Sequence, residues 1–389
     1  MINLWPLLLP AAAYSGWLIA RRSDASKHHQ SSNPLSHEYV VGLNYLLNEQ
    51  PDKAVDVFIK LLEVDSDTVE THLALGSLFR RRGEVDRAIR IHQNLIARPQ
   101  LSSIQRKEAL MALGQDYMSA GVFDRAERIF LEVLELGGER ETRSLQGLLA
   151  IYQQEKAWEK ALEILKKLES ATENSLSGQA SHYYCEMAQE AIKMGIEERA
   201  HTFIQEALKV DKQSVRASIM LAQIEMKAGH FKQAIRALKR VPEQDHEFLS
   251  EIINPLLQCY RELDAVDECI DYLEQLLETH PRSSVVFAIG EYLKQEKSED
   301  LAIDFVSSAL NRHPSIRGLN RLIYWHLESA HGKVRDKLQM LYGITSKFLE
   351  NKPVYRCGHC GFSGKLLHWH CPSCKQWGRT KPIHGLEGN

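Results

Sequence analysis

The chain has 389 residues, 44% of them hydrophobic and 25% charged, with 48 basic side chains against 51 acidic ones and a formal net charge of −3. That composition excludes a disordered chain, and the near balance of charge argues against a dedicated nucleic-acid binder. Only 12 Pro and 22 Gly leave turns sparse and make helices the expected element, in two or three domains.

Residues Ile2 to Ala20 carry no charged side chain. As a helix they would span ~28 Å, close to the thickness of a bilayer's hydrocarbon core. Trp5 and Trp17 stand near the two ends, where aromatic rings favour the interface, and Arg21 and Arg22 follow at once. A secretory signal needs its positive charge ahead of the apolar core, whereas here it comes after, although Ala11 to Ala13 would imitate a cleavage region. A buried core helix would be expected to show a polar face. The expectation is a single transmembrane anchor over residues 1–20. Positive charge on one side only puts the N-terminus in the periplasm and the bulk of the chain in the cytoplasm. Residues 21–36 are polar and read as a short linker.

From residue 37 to 315 the sequence repeats. A small residue recurs at Ala54, Ala88, Ala126, Ala161, Ala200, Ala234, Cys269 and Ala302, at intervals of 34, 38, 35, 39, 34, 35 and 33. Twelve places earlier stand Gly42, Gly76, Gly114, Leu149, Ala188, Ala222, Leu257 and Gly290. Gly83, Gly121, Gly195 and Gly229 share one turn position, and the two longer intervals predict extra loop residues at Leu101–Gln105 and Asn174–Gly178. The period and the small residues resemble the tetratricopeptide repeat, a unit of two antiparallel helices. Eight such units imply an all-α superhelical solenoid, whose product is a binding surface rather than a chemistry. Residues 316–350 read as capping helices.

In such repeats the first helices line the concave groove. The ninth position of the eight units is Leu43, Ser77, Gln115, Ala150, Gln189, Gln223, Gln258 and Glu291. A carboxamide both donates to and accepts from an extended peptide backbone, so Gln115, Gln189, Gln223 and Gln258 are candidate partner contacts. The competing reading is a good helix former on a wet face. In the first unit Tyr39 and Leu43, with Leu46 and Leu47, would make the groove apolar. Arg80, Arg81 and Arg82 read as a solvated helix end rather than a basic patch.

Residues 351–389 hold Cys357, Cys360, Cys371 and Cys374 as two C-x-x-C pairs, ten residues apart. Two such pairs can place four thiolates around one ion. The clustering of thiols, against the scattered Cys185, Cys259 and Cys269, points to a reducing compartment and a metal rather than disulfides. The segment resembles a zinc ribbon or a rubredoxin-type knuckle, and sulfur ligation suits zinc and iron equally. His359, His368 and His370 then stand outside the ligand set, and Trp369 and Trp377 are placed to dock the tail onto the last helices. A tail this short needs the ion as a staple.

Phosphate-loop, G-x-S-x-G and H-E-x-x-H motifs are absent from the sequence, as is any pairing of carboxylates suited to catalysis. An enzyme is therefore not expected. The alternative function is a membrane-tethered rubredoxin-like electron carrier. The whole order of anchor, Arg21-Arg22, repeats, C-G-H-C-G, C-P-S-C and the final Lys381 to Leu386 resembles the LapB/YciM family of lipopolysaccharide assembly proteins, as does the stretch Gly83 to Gln93. The resemblance covers nearly the whole chain. It implies an inner-membrane adaptor that promotes destruction of the lipid A deacetylase by the membrane-anchored protease FtsH and gathers other enzymes of lipopolysaccharide synthesis. It also implies the four cysteines as ligands of one metal ion per chain.

Overall fold

The computed structural model describes residues 37–48, 50, 53–55, 57–58, 69–137 and 141–386. The anchor and linker expected over residues 1–36 lie outside them, and among the described residues no helix is long and apolar enough to cross a membrane. The chain divides into two compact units, Met1–Glu155 and Lys156–Asn389.

The first unit contains α1 (His37–Leu47), helical residues 53–55 and 57–58, α2 (Val69–Arg81), α3 (Val85–Ile96), α4 (Ser103–Ser119), α5 (Phe123–Glu135) and α6 (Glu141–Gln154). The second contains α7 (Trp158–Thr172), α8 (Ser177–Lys193), α9 (Glu197–Val210), α10 (Val215–Lys227) and α11 (Phe231–Lys239). A turn of helix at Val241–Gln244 and a 3-10 turn at His246–Phe248 follow. Then come α12 (Leu249–Arg261), α13 (Val266–Thr279), α14 (Ser283–Glu296), α15 (Glu299–Arg312), α16 (Ile316–Ser329) and α17 (Gly332–Glu350). A sheet of three short strands ends the chain, β1 (Tyr355–Cys357), β2 (Ser363–Gly364) and β3 (Thr380–Pro382), in the order β2-β1-β3 and antiparallel throughout. Within each unit successive helices pack on one another, and alternate ones also meet: α2 on α4, α4 on α6, α8 on α10 and α12 on α14.

The repeating small residues explain this packing. All eight from Ala54 to Ala302 are fully buried, and the eight that stand twelve places earlier are buried as well. A methyl group at Gly114 would lie 2.6 Å from the Phe130 ring, and one at Gly290 would lie 2.6 Å from Val306. In the four repeats with glycine at this place the two helices therefore touch where one of them has no side chain, and a larger residue on the other fills the gap. In the second unit of the repeat the filler is His92, facing Gly76, where other units have Phe58, Phe130 or Val306. A buried imidazole needs partners. Its Nδ1 lies 2.5 Å from Asp116 Oδ2, both side chains fully buried, and Asp116 Oδ1 accepts from Arg80 Nη1 at 2.6 Å. Arg80 also donates to the Ala112 carbonyl and to Gln115 Oε1. Of the three arginines read as a solvated helix end, Arg81 and Arg82 are exposed, but Arg80 belongs to this buried cluster because Asp116 on the following repeat demands a cation.

The turns between paired helices use positive φ at Gly83, Gly121, Gly195 and Gly229, as their common position predicts; Lys156 (φ 58°) and Asp264 (φ 51°) hold the same place in their units. A side chain in that region costs about 1 kcal/mol, which the packed helices on either side override. One expectation fails locally. Residues 101–102 and 174–176 are loop as expected, but 103–105 and 177–178 instead lengthen the first helices, so that α4 and α8 reach 17 residues each. For α4 the reason is a reciprocal cap, in which Ser102 Oγ accepts from the Gln105 N–H and Gln105 Oε1 accepts from the Ser102 N–H.

Replacing Asp116 by alanine leaves the Arg80 guanidinium and the His92 ring without their shared acceptor. Removal of one member of a buried charge pair costs about 3–5 kcal/mol. Urea denaturation of the Asp116→Ala chain should show a loss of that size in the transition of the first unit. A change below 1 kcal/mol would mean that the cluster carries no such weight.

Candidate metal centre and partner groove

The two C-x-x-C segments fold into matching turns. The Cys357 N–H donates to the Phe362 carbonyl and the Gly361 N–H returns to the Cys357 carbonyl; the Cys371 N–H donates to the Gln376 carbonyl and the Lys375 N–H returns to that of Cys371. Gly361 (φ 77°) and Lys375 (φ 57°) take the left-handed conformation at equivalent places. The turns face each other, and the four sulfurs lie within 4.8 Å of one another. Cys357 Sγ is 3.8 Å from Cys374 Sγ, and Cys360 Sγ is 3.7 Å from Cys371 Sγ. Four bonds of about 2.3 Å in a tetrahedron hold sulfurs about 3.8 Å apart, so the donor set fits one divalent zinc or iron ion. Backbone donation from Phe362 leads the effects that hold the Cys360 thiol down at about 6, which favours a thiolate. A set closed by four thiolates has no open position for a substrate.

The three histidines nearby lie outside the sulfur cluster. His359 is exposed, His368 meets Phe362 edge-on, and His370 Nε2 lies 2.9 Å from the Lys375 carbonyl while its ring stacks on Trp377 at 4.4 Å. The remaining cysteines are buried, and burial pushes the Cys185 thiol up to about 12 and that of Cys269 to about 11.

The module does not dock on the last helices, as the sequence suggests, but chiefly on the middle of the second unit. Trp377 stacks on His182 at 5.3 Å and meets Trp158 and Tyr183 edge-on at 6.2 and 5.8 Å. Trp369 stacks on Phe248 at 5.3 Å. Gly378 has φ 64°, and a methyl group there would lie 2.9 Å from His182 Nε2, so the backbone approaches the imidazole as only glycine permits. Burial, aided by Arg216 and His370, holds His182 down at about 3, and the ring between the two tryptophans is neutral. Polar contacts surround this aromatic clasp. Lys381 pairs with Asp245 and Glu247, His384 Nε2 meets the Glu247 carbonyl, and the Tyr355 hydroxyl donates to Glu251. Two contacts do reach α16, where Arg317 donates to the Pro353 carbonyl and the Ile316 N–H to that of Leu386.

The module thus sits on the N-terminal ends of α8, α12 and α16. The candidate groove residues of these repeats stand further along the same row of helices. Gln189, Gln223 and Gln258 are exposed, as is Gln115 in the first unit. The structure divides the four by what they hold. Gln115 accepts from Arg80, and Gln189 accepts from the buried Arg216, which also pairs with Glu186. Gln223 and Gln258 line one cleft of about 350 Å³ with Ile192, Ile224, Met226 and Lys227. Tyr39 and Leu43 fall on α1, and their side chains lie outside the described residues; Leu47 is exposed. Sequence reasoning missed His182 as the seat of the module, since a lone histidine in a helix gives no such signal.

Comparison with known proteins agrees with this geometry. A family model described as Rubredoxin metal binding domain matches residues 355–382, and Tetratricopeptide repeat models match residues 71–102, 109–144, 191–254 and 258–283. Lipopolysaccharide assembly protein B of Escherichia coli (strain K12) is 39% identical over 391 residues, with 100% of each chain covered. The protein of that name from Haemophilus influenzae is 36% identical over 399 residues, again with both chains covered in full. Among solved structures, Naa15/Naa10 bound to HypK-THB matches with a TM-score of 0.40 and 12% identity, covering 82% of this chain and 47% of that one.

Elemental analysis of the purified full chain should give about one zinc or iron per molecule, lost in Cys371→Ser while the repeats stay helical by circular dichroism. Iron that cycles reversibly with a cellular reductase would favour electron transfer over a structural staple. The docking makes a separate prediction. Each aromatic pair is worth about 0.5–1.5 kcal/mol beyond its burial, so Trp377→Ala should free the module without emptying it. Hydrogen exchange across residues 355–382 should quicken while the metal content holds. Unchanged exchange would remove Trp377 from the clasp.

Proposed function

The chain belongs to the lipopolysaccharide assembly protein B family, and from that premise we propose that it is a non-catalytic adaptor in lipopolysaccharide assembly. The observation that carries the reading is the division of labour along the first helices of the second unit. Their N-terminal ends hold a metal-stapled module, while the cleft at Gln223 and Gln258 stays open. The cleft combines two carboxamides, a lysine and the apolar surface of Ile192, Ile224 and Met226. Such a lining suits an extended or helical protein segment better than a small substrate. Cys357, Cys360, Cys371 and Cys374 hold one ion in this reading, and its work is to keep the module folded and docked.

The finer account follows the family resemblance. The apolar residues 2–20 tether the chain to the inner membrane, with the N-terminus periplasmic and the repeats cytoplasmic. The repeats present the lipid A deacetylase to the membrane protease FtsH and gather other enzymes of lipopolysaccharide synthesis. Tethering raises the local concentration of one partner toward the mM range, so location is what the apolar segment supplies. Gln115, Gln189, Gln223 and Gln258, with Tyr39 and Leu43, are the proposed partner contacts, and the two glutamines of the open cleft lead.

Two measurements test this. Gln223→Ala combined with Gln258→Ala should weaken capture of the deacetylase by the full chain about tenfold without changing helicity. Equal capture would return both residues to the role of solvated helix formers. In cells making a chain without residues 1–20 at normal abundance, the deacetylase should become long-lived, and an unrelated membrane anchor should restore its turnover. A half-life as short as with the intact chain would refute the tethering account.

A further inference from the structure

Helix α17 closes the second unit and has no buried residue. It packs on α16 along one side, where Thr345 Oγ1 donates to Asn320 Oδ1, Ser346 Oγ lies 3.2 Å from the same atom, and the Tyr342 ring lies 5.6 Å from that of Tyr324. The side turned away from α16 is not polar. Val334, Met340, Leu341, Ile344 and Phe348 are 48 to 65% exposed. On a helical projection Val334, Leu341, Ile344 and Phe348 form one stripe with Lys337 inside it, and Lys333, Met340 and Lys347 run along one edge. Lys333, Lys337 and Lys347 are all exposed. Lys352 Nζ lies 4.7 Å from the centre of the Phe348 ring. Of the two carboxylates of the helix, Asp336 lies beyond the lysine edge and Glu350 on the opposite side.

We propose that this stripe of α17 lies on an anionic lipid surface, with the apolar side chains at the acyl boundary and the three lysines among the headgroups. An apolar face with interleaved lysines and no carboxylate is the signature of an interfacial helix. The charge pattern selects among occupants. A second copy of α17 would bring lysines against lysines, which opposes pairing. Residues 2–20 carry no carboxylate and would leave the lysines unmatched. A bilayer with anionic headgroups satisfies both parts of the stripe at once. Because the chain is read as tethered, weak affinity at the stripe is enough: the tether keeps the helix near the surface, and the contact sets the orientation in which the second unit is held. The proposal rests on the membrane-tether reading.

The test uses the full chain in lipid nanodiscs, one chain per disc, made of phosphatidylcholine alone or with 30% phosphatidylglycerol. Hydroxyl-radical footprinting with mass spectrometry reads side-chain access. Labelling of Met340 and Phe348 should fall several-fold in the anionic discs, while the exposed Met194 on the repeats keeps its rate as an internal control. High salt should undo the protection. The exposed substitutions Lys333→Gln, Lys337→Gln and Lys347→Gln together should abolish it with an unchanged melting temperature, and so should Ile344→Glu. Equal labelling in the two kinds of disc overturns the proposal. Protection in detergent that grows with protein concentration, together with a doubled mass, assigns the stripe to a second copy and overturns it as well. If residues 2–20 do not insert, the chain fails to purify with the discs at all, a result distinct from insertion with the stripe still exposed.

Discussion

The structure depends on one steric condition: in the repeats with glycine at the crossing, the two helices come together where there is no room for a side chain. The residues at the crossing are small in most units and always buried, and where glycine stands there a larger residue four places after the small residue of the second helix fills the space. This close approach sets the tilt of each pair and leaves a row of first helices whose outer faces are free to bind. A pair of helices cannot bury its apolar faces alone. Each therefore needs its neighbour, and the polar exceptions His92 and Arg216 each find a partner on an adjoining repeat. His92 fills the apolar place in one unit because Asp116 and Arg80 complete it. Arg216 is buried in another because Glu186 and Gln189 receive it.

The C-terminal module solves a different problem. About thirty residues cannot enclose a core, and the module obtains one from two sources. Inside, four sulfurs stand at the spacing that one metal ion would close into a centre. Outside, Trp369 and Trp377 place their rings on Phe248, His182, Trp158 and Tyr183, so that its apolar surface becomes part of the core of the second unit. An ion held there would be coupled to the clasp. The second of the two turns that carry the cysteines also fixes His370, which stacks on Trp377, and Trp377 reaches the repeats. Loss of the metal would loosen the ring that docks the module, and loss of docking would expose the module to solvent.

The two halves of the first-helix surface thus have separate tasks. The N-terminal ends of α8, α12 and α16 are occupied by the module, and the cleft at Gln223 and Gln258 is the proposed partner site. Lys381 and its carboxylate partners, partly exposed, add little energy at the edge but fix the direction in which the module lies. The helices that follow end the stack without hiding their last face, which is why α17 keeps an apolar stripe in contact with its surroundings.

The sequence by itself determined everything whose cause is local or periodic. The spacing of small residues set the repeats, because a missing side chain at a helix crossing is needed once per unit whatever the neighbours are. The two C-x-x-C pairs set the sulfur cluster, because a turn of that length brings both thiols to one side. The turn glycines were legible for the same reason, and the strain accepted at Lys156 and Asp264 marks where packing overruled the local preference. Only the tertiary structure decided the rest. Where the module docks depends on contacts such as that between His384 and Glu247, 137 residues apart, and no local pattern records which face of which helix will be near. It also decided that Arg80 is half-buried against Asp116 while Arg81 is exposed, and that two glutamines of one repeating position hold arginines while two others line a cleft. Identical residues at identical register positions differ only in what the next element places beside them, and that is a property of the packed chain.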